Sequence, residues 1–324
     1  MTDLIRAICQ KEGIDCRSVE VLTGGQVNQV YRVNEALIVR VGARDDAFAR
    51  LEHETDLLRR FAGKIPVPEV LSFGQHEGHV YQIQRALAGQ KLYLLWKNLR
   101  PEAQEAIAAD LAGALQVLHS ESAPQFGLAR PDAPCFDAWA DFLTAKFQQT
   151  LEELRELNIA MAPGFVEQAT EYFESHKHVL AGGIPALLHG DLTLVNLLAD
   201  GGRLSALLDF EYAVYAPIDY ELWTLEAFCL YPNDWAEEEH EVYSSADFAS
   251  LFSLLRRHYP ALFEVPHLRE RVDLYHLDAA LGSYLSWRKD NLATIPPERM
   301  AGKEFYMARI TNFTFRHGAR MFHA

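Results

Sequence analysis

Leu188-His189-Gly190-Asp191-Leu192-Thr193-Leu194-Val195-Asn196 is followed, thirteen positions after Asn196, by Asp209 in the run Leu207-Leu208-Asp209-Phe210-Glu211. An Asp and an Asn five positions apart on one irregular loop can aim one side chain at a reacting hydroxyl and the other at a metal ion. Between Asn196 and Asp209, Leu197-Leu198-Ala199, Asp200-Gly201-Gly202 and Leu204 to Leu208 read as a short hairpin with a glycine-rich turn. Such a hairpin would set Asn196 and Asp209 side by side. A transferred phosphoryl group needs positioning and charge neutralisation rather than covalent help, so a carboxylate for the acceptor and hard oxygen ligands for magnesium are a sufficient set. Asp191, Asn196 and Asp209 supply it. The competing reading is a turn after a buried strand, with Asp209 capping the next helix. The loop, the hairpin and the second Asp, in that order, favour the phosphoryl-transfer set.

On these residues the chain resembles the aminoglycoside phosphotransferase and choline kinase-like superfamily, from about Leu22 to Trp223. The resemblance implies an α+β, two-lobed protein kinase-like fold: a small N-lobe with a five-stranded antiparallel sheet plus one helix, and a larger, mainly helical C-lobe. It also implies ATP as donor, Asp191 as catalytic base, and Asn196 with Asp209 as magnesium ligands. The expected division is 1–87 for the nucleotide-binding lobe and 88–324 for the catalytic and acceptor-binding lobe.

The N-terminal part fits that scheme. A short helix capped by Thr2 or Asp3 precedes an extended segment ending at Leu22, then Thr23-Gly24-Gly25-Gln26-Val27-Asn28, then Val30 to Val33 and Ala36 to Val41, which read as three antiparallel strands. Glycines at that turn let backbone amides approach phosphates, and the resemblance assigns Gly24 and Gly25 to the nucleotide. Arg40 lies in an otherwise apolar strand and needs a partner. On the helix from Asp45 to Phe61, Leu51, Leu58 and Phe61 share a face, and Glu54 lies on it while Glu52 does not. A strand cation paired with a helix Glu is the kinase arrangement that steadies the α- and β-phosphates, with Arg here in place of Lys. Ile65-Pro66-Val67-Pro68 forces extended backbone into two further strands, and Arg85-Ala86-Leu87-Ala88-Gly89 resembles the interlobe hinge, so Arg85 and Leu87 are assigned to the adenine edge.

Further on, Pro101 opens a helix through His119 with Ile107, Leu111, Leu115 and Leu118 as its core stripe. Helices are expected over 136–158, 165–180, 268–287 and 304–321. Seven residues separate Asp209 from Pro217, which leaves no room for a phosphorylatable activation segment, and Gly190 replaces the arginine of the protein kinase loop. A protein kinase function is disfavoured. Where related chains carry Gly-Asp-Pro, this one has Ala216-Pro217-Ile218, and Glu221 takes the position that braces the catalytic loop.

Thirty basic and forty-five acidic residues give a net charge of −15, which repels phosphate backbones and acidic membranes, so neither nucleic acid nor membrane is an expected partner. No apolar run approaches spanning length and the first residues carry no leader pattern, so a cytoplasmic protein is expected. The four cysteines have neither metal-ligand spacing nor the density of a disulfide scaffold. Residues 1–87 hold eleven basic and twelve acidic side chains, so the remainder carries −14 of the charge. That excess points to a small cationic, hydroxyl-bearing acceptor of the aminoglycoside kind, with Asp278, Glu211 and Trp287 as candidate contacts. The alternatives are a choline, ethanolamine or other amino-alcohol or sugar kinase, and, from another class, a nucleotide-binding regulatory protein without catalysis.

Overall fold

A computed structural model of the chain describes residues 1–22, 28–42, 46–157, 165–235 and 242–290. Helix α1 (Thr2–Lys11) places Ile5, Ile8 and Cys9 on one face, at the spacing that makes helical neighbours. They pack on the sheet formed by β1 (Val19–Leu22), β2 (Asn28–Val33), β3 (Leu37–Gly42), β4 (Val70–His76) and β5 (His79–Arg85), ordered β1-β2-β3-β5-β4. Every neighbouring pair in it is antiparallel. Side chains alternate across a strand, so Tyr31, Val33, Val39, Val41, Tyr81 and Ile83 face α1. The opposite face is polar: Arg40 and Gln82 are register partners there, and Gln84 donates to Gln82 at 2.6 Å. Helix α2 (Ala47–Phe61) covers that face, and its Thr55 hydroxyl accepts from Gln82 at 2.7 Å.

The lower face of α2 belongs elsewhere. Leu57, Leu58 and Phe61 join the larger apolar cluster, which is otherwise made of residues after 64. That cluster is built on α4 (Pro101–His119), where proline at the first position costs no hydrogen bond and Ile107, Leu111, Leu115 and Leu118 are all fully buried. Before it come β6 (Gln90–Lys91) and α3 (Leu92–Leu95). After it come β7 (Gly127–Leu128), α5 (Trp139–Glu156), α6 (Phe165–His176), β8 (Ala186–Leu188), β9 (Leu197–Asp200), β10 (Arg203–Leu207), β11 (Val214–Ala216), α7 (Glu221–Leu230), α8 (Ala249–His258) and α9 (Leu268–Asp290). This is the two-lobed kinase-like architecture expected, with α1 as a second helix on the small sheet. The helix expected over 165–180 ends at His176 and tightens into a single turn over Lys177–Leu180. The one expected over 304–321 lies outside the described residues.

Two ladders frame the central loops. β8 pairs with β11 in the register Leu188↔Val214, and β9 pairs with β10 in the register Leu197↔Leu207. Residues 189–196 and 208–213 are therefore held alongside each other at both ends. Gly201 and Gly202, at φ +55° and +77°, make the turn between β9 and β10.

Candidate active site

The loop after β8 is built on a glycine and a carboxylate. Gly190 has φ +81°, and a Cβ there would run into the Tyr212 carbonyl oxygen, so no other residue fits without moving the turn that carries Tyr212. Glu221, at the start of α7, accepts from the His189 amide at 2.9 Å through Oε2 and from the Gly190 amide at 3.2 Å through Oε1. This is the brace expected of Glu221, fully buried. Burial alone would raise its carboxyl, but the hydrogen bond from His119, together with the His189 amide, more than offsets that and holds it below the usual carboxylate range. The His189 ring completes the loop: its Nδ1 accepts from the Asp191 amide at 3.3 Å, which leaves Nε2 to donate to the Leu208 carbonyl at 2.8 Å.

Asn196 donates through Nδ2 to both the Asp191 carbonyl and Asp191 Oδ2, each at 2.9 Å. The amide is thereby oriented, and Asn196 Oδ1 is the atom left to a cation. Asp191 is raised to about 6, chiefly by burial, with Asp209 adding to it and His189 and the Asn196 hydrogen bond opposing. Asp209 sits at φ +66°, a conformation rare for a residue with a side chain and most tolerable for Asp and Asn. A turn closed by the Ala213 amide on the Phe210 carbonyl, 3.1 Å, follows directly.

Arg40 reaches this turn from the small sheet. Its Nη1 donates to both Glu54 oxygens at 2.5 Å and its Nη2 lies 3.4 Å from Asp209 Oδ1. Burial works against the guanidinium charge, but Glu54 and Asp209 overcome it and raise its pKa. Glu54 also accepts from the Phe210 amide at 3.3 Å, so α2 holds both the strand cation and the Asp209 turn. Glu211 is buried, its Oε2 accepts no hydrogen bond, and Arg50 stands 3.9 Å away. Burial and then Asp209 push its carboxyl up to about 7. Arg50 also lies over the Tyr212 ring, 5.6 Å from its centroid.

Asp191, Asn196, Asp209, Arg40, Glu54 and Glu211 thus form one constellation. Of the other sequence candidates, three are described and lie elsewhere: Arg85, Leu87 and Asp278. Gly24 and Gly25 lie outside the described residues, as does the side chain of Trp287. The Arg85 amide is bound to the Glu69 carbonyl at 2.9 Å and its side chain to the Glu69 carboxylate at 2.7 Å, both on the surface. Leu87 is half-buried in the connection to β6. Asp278 is buried on α9, and the partner its charge needs comes from within the chain: Lys146 donates to it at 2.6 Å. Sequence reasoning left His119 as a helix-end residue, whereas its Nε2 lies 3.3 Å from Glu221. It also left unread the buried Arg271, which donates to both Asp219 oxygens at 2.6 and 3.0 Å and so fixes the segment entering α7. Buried charge opposite charge was the available signal, but the partners are 102 and 52 residues apart in the chain.

A model of the phosphotransferase enzyme family matches residues 18–281. Among curated proteins, the chain is 24% identical over 224 residues to hygromycin-B 4-O-kinase of Escherichia coli, covering 65% of this chain and 59% of that protein. It is 26% identical over 198 residues to a probable ketoamine kinase of Enterococcus faecium, covering 55% of this chain and 64% of that one. The alignment thus spans less than two thirds of either relative. Among solved structures, a ternary complex of aminoglycoside phosphotransferase APH(4)-Ia with ADP and hygromycin B superposes with a TM-score of 0.69 at 20% identity, covering 97% of this chain and 98% of that one. ADP-bound aminoglycoside phosphotransferase APH(2'')-Ib gives 0.64 at 16% identity, covering 99% and 98%. At such identities the structural likeness is one of fold.

Proposed function

We propose that this chain, which belongs to the phosphotransferase enzyme family, moves the γ-phosphoryl group of ATP to a hydroxyl of a small cationic acceptor. The convergence of Asp191, Asn196 and Asp209 between two β ladders carries the reading. Asp191 Oδ2 is held by Asn196, so Oδ1 faces the acceptor and takes its proton as the new bond forms. A carboxyl near 6 is ionised at neutral pH yet basic enough to draw on a hydroxyl, a contribution of roughly a hundredfold to ten-thousandfold. Residues 1–87 would bind the nucleotide, with Gly24 and Gly25 at its phosphates, Leu87 at the adenine edge and Arg40, kept straight by Glu54, on the α- and β-phosphates.

Asn196 Oδ1 and the Asp209 carboxylate would hold magnesium. The donor set is all hard oxygen, one amide and one carboxylate, which suits an ion that keeps its waters and shares the phosphates. An ion bound there would supply charge neutralisation to the transferring group.

For the acceptor, the −14 carried by residues 88–324 and Glu211 Oε2, which accepts no hydrogen bond and has only the 3.9 Å contact to Arg50, favour a cation, and the hydroxyl acceptor named for the Escherichia coli relative is in keeping with an aminoglycoside-like molecule. A single-amine acceptor is the second reading, because Lys146 already neutralises Asp278. Among the described residues no helix is long and apolar enough to cross a membrane, and a cytoplasmic site of action, where ATP is plentiful, fits the proposal. The test is Asp191→Asn with a panel of aminoglycosides, choline and amino sugars. Wild type should release ADP in the presence of at least one acceptor, and the variant should bind ATP without turnover. Transfer at the wild-type rate by the variant would sink the assignment. ATP binding with no hydrolysis by the wild type under any acceptor would favour a regulatory binder.

A further inference from the structure

Glu221 anchors two amides of the catalytic loop and has one further side-chain donor within reach, His119, the last residue of α4. The pair is sealed from water, with side chains 2% and 1% exposed. An ionised carboxylate offers no proton, so His119 Nε2 must carry the hydrogen it shares with Glu221 Oε2 at 3.3 Å. In a neutral imidazole Nδ1 is then an acceptor, and the hydroxyl of Tyr259, just beyond α8, lies 3.1 Å from it. A lone pair at Nε2 instead would face the carboxylate, and the brace would lose its support.

We propose that Tyr259 and His119 are positioning residues of the catalytic loop: the Tyr259 hydroxyl fixes the His119 tautomer so that Nε2 donates to Glu221, and Glu221 in turn holds the His189 and Gly190 amides. The logic is that of a third group orienting an imidazole through its second nitrogen. It ties the region after α8 to chemistry on the loop after β8, through side chains that are bonded to Glu221 and to each other rather than to Asp191, Asn196 or Asp209. Burial, and then Glu221, raise the Tyr259 phenol and keep it a donor.

The test uses the full-length protein and two readouts. In nitrogen-15 spectra His119 should be protonated at Nε2 and bare at Nδ1, and a protonated Nδ1 would overturn the role of Tyr259. Amide exchange at His189 and Gly190 should quicken by roughly tenfold in His119→Leu and by less in Tyr259→Phe, while exchange in the small sheet is unchanged. Acceptor-free ATP hydrolysis should fall roughly 10- to 100-fold in His119→Leu and be restored by His119→Gln, with nucleotide affinity unchanged throughout. Only this rate arm rests on the proposed phosphotransfer. Unchanged loop exchange in the variants refutes the positioning role whatever the rates. Faster exchange in a wild-type background that never hydrolyses ATP would refute phosphotransfer and leave the anchoring intact. Should His119→Leu fail to fold, Tyr259→Phe, which removes one oxygen, still decides through the spectra and the exchange.

Discussion

Asp191→Asn should make the protein more stable as it makes it inactive. The carboxyl is raised from 3.8 to about 6, so ionising it in the folded state costs about 3 kcal/mol at about 1.4 kcal/mol per pH unit. Screening by the water that reaches this partly buried group lowers that to about 1–2 kcal/mol. Asparagine keeps the shape and can still accept from Asn196, but it has no charge to desolvate. The sign follows from a folded pKa above the unfolded one: the wild type has its full stability below about 4 and loses this contribution as pH rises through about 6. The variant should therefore match the wild type at pH 4, pull ahead between 4 and 6, and keep a constant lead of about 1–2 kcal/mol above 7. Urea unfolding of both proteins at half-unit steps from pH 4 to 8, without nucleotide, measures it. A lead that is absent above pH 7, or equally large at pH 4, would refute the argument that burial strains this carboxylate.

The same titration predicts that turnover falls with unit slope below pH about 6 as Asp191 takes up a proton, and a pH–rate profile of ATP hydrolysis reads it. Glu54→Gln removes the charge from an ion pair whose side chains are 11% and 1% exposed and leaves Arg40 with only the longer ion pair to Asp209; a loss of about 3–5 kcal/mol is expected in the unfolding free energy from urea denaturation. Leu111→Ala should cost about 2–5 kcal/mol through the cavity in the α4 stripe, with ATP affinity by calorimetry unchanged. Asp209→Ala should abolish the tightening of ATP binding by magnesium, seen as identical titrations with and without the ion.

The parts legible in the sequence were those whose partners are close in the chain or whose spacing is periodic. Asp191, Asn196 and the β9–β10 hairpin lie within one short stretch, and Pro101 with the Ile107, Leu111, Leu115 and Leu118 stripe marked α4 from its first residue to its last. Arg40 and Glu54, fourteen apart, could be paired because an isolated cation and an inward carboxylate each demanded a partner. The sheet of β7, β11 and β8 was not legible, since strands of two or three residues show no alternation. Nor was the polar inner face of the small sheet: nothing local to Gln82 and Gln84 announces a covering helix, yet α2 lies over them and their amides bond each other and Thr55. Lys146, 132 positions from Asp278, lies beyond any local pattern, so the carboxylate alone looked available to a ligand.

Helix α2 holds Arg40 and the Asp209 turn through Glu54 while it drives Leu57, Leu58 and Phe61 into the large apolar cluster. Its roots are therefore in the half of the molecule that carries Asp191 and Asn196. A fragment ending at residue 87 would strip those three side chains of their surroundings and expose an apolar seam prone to self-association. In the intact chain the small sheet is tied to α2 through Arg40–Glu54 and Gln82–Thr55, and α2 to the large cluster through its three apolar side chains, so one helix is shared by two cores that would otherwise be independent bodies.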